Sequence, residues 1–416
     1  WVNLYSHRFL DPVFRLFQSE LETVYEEKNR AMDNPFRVFN ETSRKYFFKN
    51  HPYGQQTILG SVEHLKTPSL SKMKEYYNKY YVPNNMHLII AGDFDKRDVK
   101  KLIKDKFGKL KKGADVEQLD IPEDDFSGRE VIDLAITPYR VARFGYRTVM
   151  PNHEDAVVLD LISNIFSNSS KTGLLNKLNN ENKVLGSYAT TGLGGTDHGG
   201  FGFGFVPKDD SQSFGDAENL ILKEIDKVKS GDFSEDLLLS IKLNMSMDHE
   251  TRMESVDGRT WLIMSTILEN MPWKDVKNYP NKVNSVTKQK VIEVANKYFT
   301  DNYLIVRSDK GDNKKVKLEK PPFKPVAPQN AEASSEYADM LNKIEPKKTD
   351  PRFVDFKKDV KVEDIAQNNH FFYVKNPVNS IFSMNLQFGQ GSIDNAALSQ
   401  SADFISLLGT KNKTFD

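Results

Sequence analysis

Glu20, Glu26 and Glu27 fall in one short stretch of the chain, with Glu20 and Glu27 seven residues apart. On an α-helix seven residues turn through about 700°, so these two carboxylates project from one face, while Glu26 points about 100° away from Glu27. Two acids on one face usually make nothing more than a solvated helix side. With no cysteine in the chain, disulfides and thiol chemistry are excluded, and any metal must be held by histidine and carboxylate. The eight histidines are His7, His51, His64, His87, His153, His198, His249 and His370, and none pairs with another at a spacing of three or four. His64, which follows Glu63, reads as an ordinary polar residue at a helix edge. Asp197-His198 is a further acid–histidine pair, but no serine pattern accompanies it. His249 and Arg252 read as a solvated helix face. The glycine-dense stretch 192–204 matches neither dinucleotide- nor phosphate-loop spacing. Its alternating Phe201, Phe203 and Phe205 predict one buried face of a strand in a hairpin, with glycines where backbone or ligand comes close.

The elements that must position these residues follow from periodicity and punctuation. Helices are expected over 12–32, opened by Pro12, and over 36–48, with a turn at His51-Pro52-Tyr53-Gly54. A third spans 69–81 and is closed by Pro83. Its tyrosines 76, 77, 80 and 81 read as core and interface packing. Residues 86–91 read as an apolar strand and 97–107 as a helix. A second unit opens with two strands in 131–149, followed by helices over 154–168 and 172–180. Strands at 185–191 and 201–206 and long helices between 215 and 299 complete it, before a last apolar run to Val306. The strings NKYYVPN at 78–84 and NKYFTDN at 296–302 both run from a helix into an apolar strand, which predicts an internal duplication. The Pro- and Lys-rich stretch 311–355 reads as a linker, with one short helix over 336–344. Strands at 371–374 and 381–388 and a helix over 395–408 open a third unit. The domain organisation expected is therefore 1–115, 126–310, the linker 311–355, and 356–416. The fold class is α+β, duplicated units with helices on one face of mixed, mainly antiparallel sheets.

Taken in order, the aromatic segment before Phe14, Glu20 and Glu27, Asn34-Pro35, His51-Pro52-Tyr53-Gly54, and Tyr80 to Phe94 resemble the pitrilysin/insulinase family of zinc peptidases, the inverzincins, whose signature is an HxxEH helix. That resemblance implies that Glu27 is a zinc ligand and Glu20 an outer carboxylate that orients the site. The two remaining ligands and the general base would come from an HxxEH segment, which this chain lacks. Glu63-His64 has a glycine, Gly60, where the first histidine would stand. The resemblance places HxxEH before Trp1, so the chain is expected to be an internal piece that is inactive alone and holds no catalytic residue itself. The implied reaction is hydrolysis of peptides or unfolded polypeptides by a zinc-activated water, in a chamber between two halves. The other half is the remainder of the chain or a homologous subunit. The other reading is a non-catalytic relative that serves as a peptide-binding or scaffold subunit. In the third unit, counting back from Leu408-Gly409-Thr410 puts Gln400, Asp403 and Phe404 at the motif's ligand and base positions. That copy is expected to be degenerate and structural, with Phe404 in the core.

Composition narrows the classes further. Lysine plus arginine equals aspartate plus glutamate at 58 each, so the net charge offers no footprint for nucleic acid. With 38% apolar and 28% charged residues over 416 positions, the chain can build several cores. No apolar run approaches the ~20 residues of a membrane span. The family resemblance inclines the location to a bacterial periplasm or cell envelope.

Overall fold

A computed structural model of the chain describes residues 1–66, 69–313, 327, 329–330, 332–346, 350–351, 353–367, 369–405 and 408–411. The first stretch is helical: α1 (Val2–Leu10), α2 (Phe17–Asp33), α3 (Pro35–Phe47), α4 (Pro52–Gln55), α5 (Val62–Lys66), α6 (Leu70–Tyr80) and α7 (Lys96–Phe107). The helix expected from Pro12 begins at Phe17 instead, because Leu16 sits in the left-handed region with φ 59° and ends the preceding turn. α1 was not marked by the sequence pattern. α3 starts where Asn34 says it should: its side chain accepts the backbone N–H groups of Phe36 and Arg37, with Pro35 in the first turn. Ser69 and Asp95 cap α6 and α7 in the same way.

Two expectations here are corrected. Residues 86–91 form no ladder, since no described strand lies beside them, and Leu88 remains 46% exposed. The tyrosines of α6 are not core. Tyr76 and Tyr81 are exposed and the four meet in pairs, Tyr76 tilted against Tyr80 at 4.5 Å and Tyr77 stacked on Tyr81 at 4.7 Å.

The second stretch is built on one five-stranded sheet: β1 (Arg129–Thr137), β2 (Val141–Thr148), β3 (Gly186–Thr190), β4 (Gly199–Val206) and β5 (Tyr303–Lys310). The order is β1-β5-β2-β4-β3, parallel only between β1 and β5. β4 shows why the sheet has two different faces. Phe201, Phe203 and Phe205 are fully buried on one side, Phe203 stacked on Phe144 of β2 at 4.9 Å. Against them pack α8 (Ala156–Phe166), α9 (Leu174–Asn180), α10 (Phe214–Ser230) and, after α11 (Glu235–Glu254), α12 (Val256–Leu268), α13 (Trp273–Lys277) and α14 (Tyr279–Ser285), the closing helix α15 (Lys288–Tyr298).

The opposite face carries Gly200, Gly202 and Gly204, with Gly145 directly across from Gly202. A side chain on any of these would run into Leu193, Phe47 or Tyr188. The glycines therefore let other elements lie close on the sheet, and no ligand is needed to account for them. α3 covers this face: Phe39, Phe47 and Phe48 form a second core with Phe126, Leu304 and Val306. The helical first stretch is thereby docked on the sheet of the second.

The repeated NKY strings meet the same fate at one point and differ at another. Asn84 accepts the Gly113 N–H at 3.0 Å, and Asn302 accepts the Gly128 N–H at 2.9 Å. In the second copy Lys297 and Tyr298 both hydrogen-bond to the buried carboxylate of Asp155, and the chain enters β5, an inner strand between β1 and β2. After the first copy the chain enters no sheet.

Beyond 311, α16 (Glu336–Asn342) lies where the short linker helix was expected, and most of the surrounding prolines lie outside the described residues. β6 (Lys361–Ala366) and β7 (Asn369–Tyr373) form an antiparallel hairpin, and α17 (Ala397–Ile405) follows. The strand expected over 381–388 is absent. Phe382, Met384, Leu386 and Phe388 alternate as a strand would but pair with nothing described and stay exposed. Phe404 is not in a core; it is 62% exposed, because no described element packs on that face of α17. Leu407 and the side chain of Asp403 lie outside the described residues.

Candidate functional site

α2 presents the acids. It is pinned from below by Tyr25 and Lys28, both buried, with the Lys28 ammonium 3.4 Å from Glu41 and 3.4 Å from the Thr57 hydroxyl. The pinned side fixes which side faces out. Ser19, Glu22, Thr23, Tyr25, Glu26, Glu27 and Arg30 line a hollow of about 390 Å³ along α2. Glu20 and Glu27 share a helix face as the spacing requires, but Glu20 is exposed two turns from Glu27 and does not line the hollow. Glu26 and Glu22 do. None of these carboxylates has a hydrogen-bond or ion-pair partner among the described residues.

A catalytic zinc takes three protein ligands and keeps an open position. Among the described residues no group of three or more histidines, aspartates or glutamates converges to hold a metal. The carboxylates of α2 do not converge on one point, so the described residues of this chain do not by themselves fit a zinc ion.

The best-ordered polar cluster lies elsewhere, where the α3–α4 corner meets the sheet. Glu123 accepts three successive backbone N–H groups, from Lys49 at 2.9 Å, Asn50 at 2.8 Å and His51 at 2.5 Å. Arg147 on β2 donates to the same carboxylate at 3.2 Å and to the Phe47 carbonyl at 2.8 Å. Beside it His51 and His198 face each other with ring centroids 4.9 Å apart. Asp197 and His198 do not form the pair their adjacency suggests. His198 Nε2 bonds the Ile121 carbonyl at 2.8 Å, while Asp197 lies 3.8 Å from His51 Nε2 and takes a hydrogen bond from the Tyr53 hydroxyl at 3.4 Å. Contacts between residues 70 to 150 positions apart leave no local signal in a sequence. Nor is His249 solvated: it stacks on Tyr279 at 5.1 Å, and burial lowers its pKa, whereas Arg252 is exposed.

The fold is α+β, with helices laid on one mainly antiparallel sheet, and known proteins share it. A family profile described as Peptidase M16 inactive domain matches residues 69–245, from the start of α6 into α11. The Helicobacter pylori zinc protease PqqE is 24% identical over 297 residues, which is 68% of this chain and 65% of that protein. A probable zinc protease PqqL of Haemophilus influenzae is 33% identical over 85 residues, only 9% of its length, so the chain spans less than two thirds of either relative. Among solved structures, a protease from Helicobacter pylori superposes with TM-score 0.66 at 21% identity, covering 74% of this chain and 75% of that one. The first half of the periplasmic protease PqqL from Escherichia coli gives 0.63 at 17% identity, covering 77% and 72%. Over these stretches the chain is similar to pitrilysin-type peptidase M16 homologues. No described helix is long and apolar enough to cross a membrane.

Proposed function

We propose that this chain is part of a zinc-dependent metalloendopeptidase of bacterial envelope type, acting on peptides or unfolded polypeptides in a chamber formed with a second half. Glu27 is its carboxylate ligand, and two histidines from outside this stretch complete the set. The observation that carries the reading is the outer face of α2. Glu27 lines an open hollow, with no partner for its charge among the described residues, on a helix anchored by the buried Tyr25 and Lys28. An accessible acid on an anchored helix is available to a ligand, and the family resemblance gives Glu27 that role. Glu26 lines the same hollow and is the competing ligand position. The units that surround the hollow hold the peptide and exclude solvent from it.

The second reading is a non-catalytic family member that binds peptides or scaffolds a partner, and the description of the matched 69–245 region as an inactive domain favours it. The two part in one experiment on the longer protein that contains this chain. Glu27→Gln keeps the side chain's size and removes its charge, so bound zinc and peptide cleavage should fall together. Glu20→Gln should weaken both by about 10–100-fold at most, the range for an outer-shell partner. Unchanged zinc and cleavage in Glu27→Gln would refute the assignment, and a dominant loss in Glu26→Gln would move it by one residue.

A further inference from the structure

The His51–His198 contact has a protonation geometry that the peptidase reading does not use. The Tyr53 backbone N–H donates to His51 Nδ1 at 3.2 Å, capping α4. A backbone N–H can only donate, so Nδ1 carries no proton and the neutral ring holds its proton on Nε2, 3.8 Å from Asp197. The Ile121 carbonyl can only accept, so His198 carries its proton on Nε2. Both tautomers are fixed by their partners. A second proton on His51 has to enter at Nδ1, where the Tyr53 N–H already points. It breaks the α4 cap and places a cation against the His198 ring.

What that corner holds is the 191–198 loop. The Tyr53 hydroxyl lies 3.1 Å from the Thr196 hydroxyl, accepts the Thr196 N–H at 3.1 Å and reaches Asp197 at 3.4 Å. Its ring covers Gly195, where no side chain would fit. From the same loop Leu193 is wedged over Gly145 and Gly202 beside α3. We propose that the His51–Tyr53 corner and the 191–198 loop form an acid-released latch, closed while both imidazoles are neutral and opened when His51 takes a proton. Opening loosens the seat of α3 on the sheet. The proposal rests on this contact and not on the metal reading.

The charged groups around His51 oppose one another. Burial lowers its pKa and His198 lowers it further, while Asp197 and Glu123 raise it, with a net shift downward. Glu123 is already committed to three backbone N–H groups and to Arg147, and the Arg44 Nε–H is engaged by the Tyr53 carbonyl at 3.2 Å. A histidine whose pKa is lowered in the closed state takes up a proton on opening. Closure is therefore complete above the free-imidazole pKa of about 6.5 and weakens as pH falls below it.

Amide hydrogen exchange of the full 416-residue chain, corrected for the intrinsic pH dependence of exchange, reads this directly. Between about pH 7.5 and about pH 5, a span that brackets histidine titration, opening in peptides covering 51–56 and 191–198 should rise about fivefold, the equivalent of one neutral hydrogen bond. Helix α8 should not change. His51→Asn retains an oxygen to cap α4 but cannot titrate, so this variant should lose the acid response. An unchanged wild-type pattern, an equal response in His51→Asn, or loss of protection in α8 to the same extent would each overturn the latch. Should His51→Asn fail to fold, imidazole titration of the wild-type chain by NMR decides. His51 should titrate below about 6.5, and titration at or above that value would overturn the proposal.

Discussion

Gly199 and Gly186 stand at the start of neighbouring strands and make opposite demands. A Cβ on Gly199 would fall inside the van der Waals shell of the Val149 carbonyl, backbone that cannot move aside, whereas a Cβ on Gly186 would meet nothing within 4 Å. Gly199→Ala should therefore lower stability by about 1–3 kcal/mol, and Gly186→Ala should be near neutral, as denaturant unfolding will measure. Equal effects would mean that the hairpin gives way more easily than its packing indicates. The glycine–phenylalanine alternation of β4 was legible because its period of two is written in adjacent residues. The partners of the glycine face, Leu193, Phe47 and Tyr188, were not, since one comes from a helix more than 150 positions away. The same distinction applies to the acids. Their shared helix face follows from spacing, but whether Glu20 or Glu26 joins Glu27 in the hollow depends on where α2 starts and which side Tyr25 and Lys28 anchor.

Elements with strong caps and clear periods were read well, α3, α6, α7, α8 and β1 to β5 among them. The missed strands share a cause: a strand is a strand only beside another. Residues 86–91 and 381–388 carry strand-forming side chains but find no neighbour among the described residues. The second NKY string shows what such a motif does when the neighbour is present. Burial of Asp155 pushes its carboxyl up, but hydrogen bonds from Lys297, Tyr298 and Lys290 outweigh that and hold its pKa at about 2. This ties the start of α8 to the end of α15, directly before β5 enters the sheet. Asp155→Asn should cost about 2 kcal/mol at neutral pH. Because the folded pKa is depressed, the contribution is present above the ordinary aspartate value of about 3.9 and is lost as pH falls through it toward about 2. The wild-type and Asp155→Asn unfolding free energies should thus converge in that window, and a constant gap across it would rule out the ionic anchor.

At the scale of the molecule, the docking of α3 on the far face of the sheet joins the stretch that carries Glu27 to the second unit. The Pro- and Lys-rich stretch 311–355, by composition, is the boundary at which brief trypsin treatment should cut first. Cutting inside 200–300 before 311–355 would contradict that division. The resemblance to pitrilysin-type peptidases was legible in the first hundred residues because the motif residues stand in order there. What the sequence left open was whether any other acid or histidine converges on Glu27, a matter of three-dimensional placement, and among the described residues none does. Glu27 is proposed as one ligand of a zinc site that residues outside this stretch complete. Calorimetric titration of zinc into the isolated 416-residue chain tests it most directly. No stoichiometric binding at micromolar zinc is expected, because carboxylates that do not converge cannot replace a three-ligand set. Equimolar zinc bound with micromolar or tighter affinity, and abolished by Glu27→Gln, would contradict it.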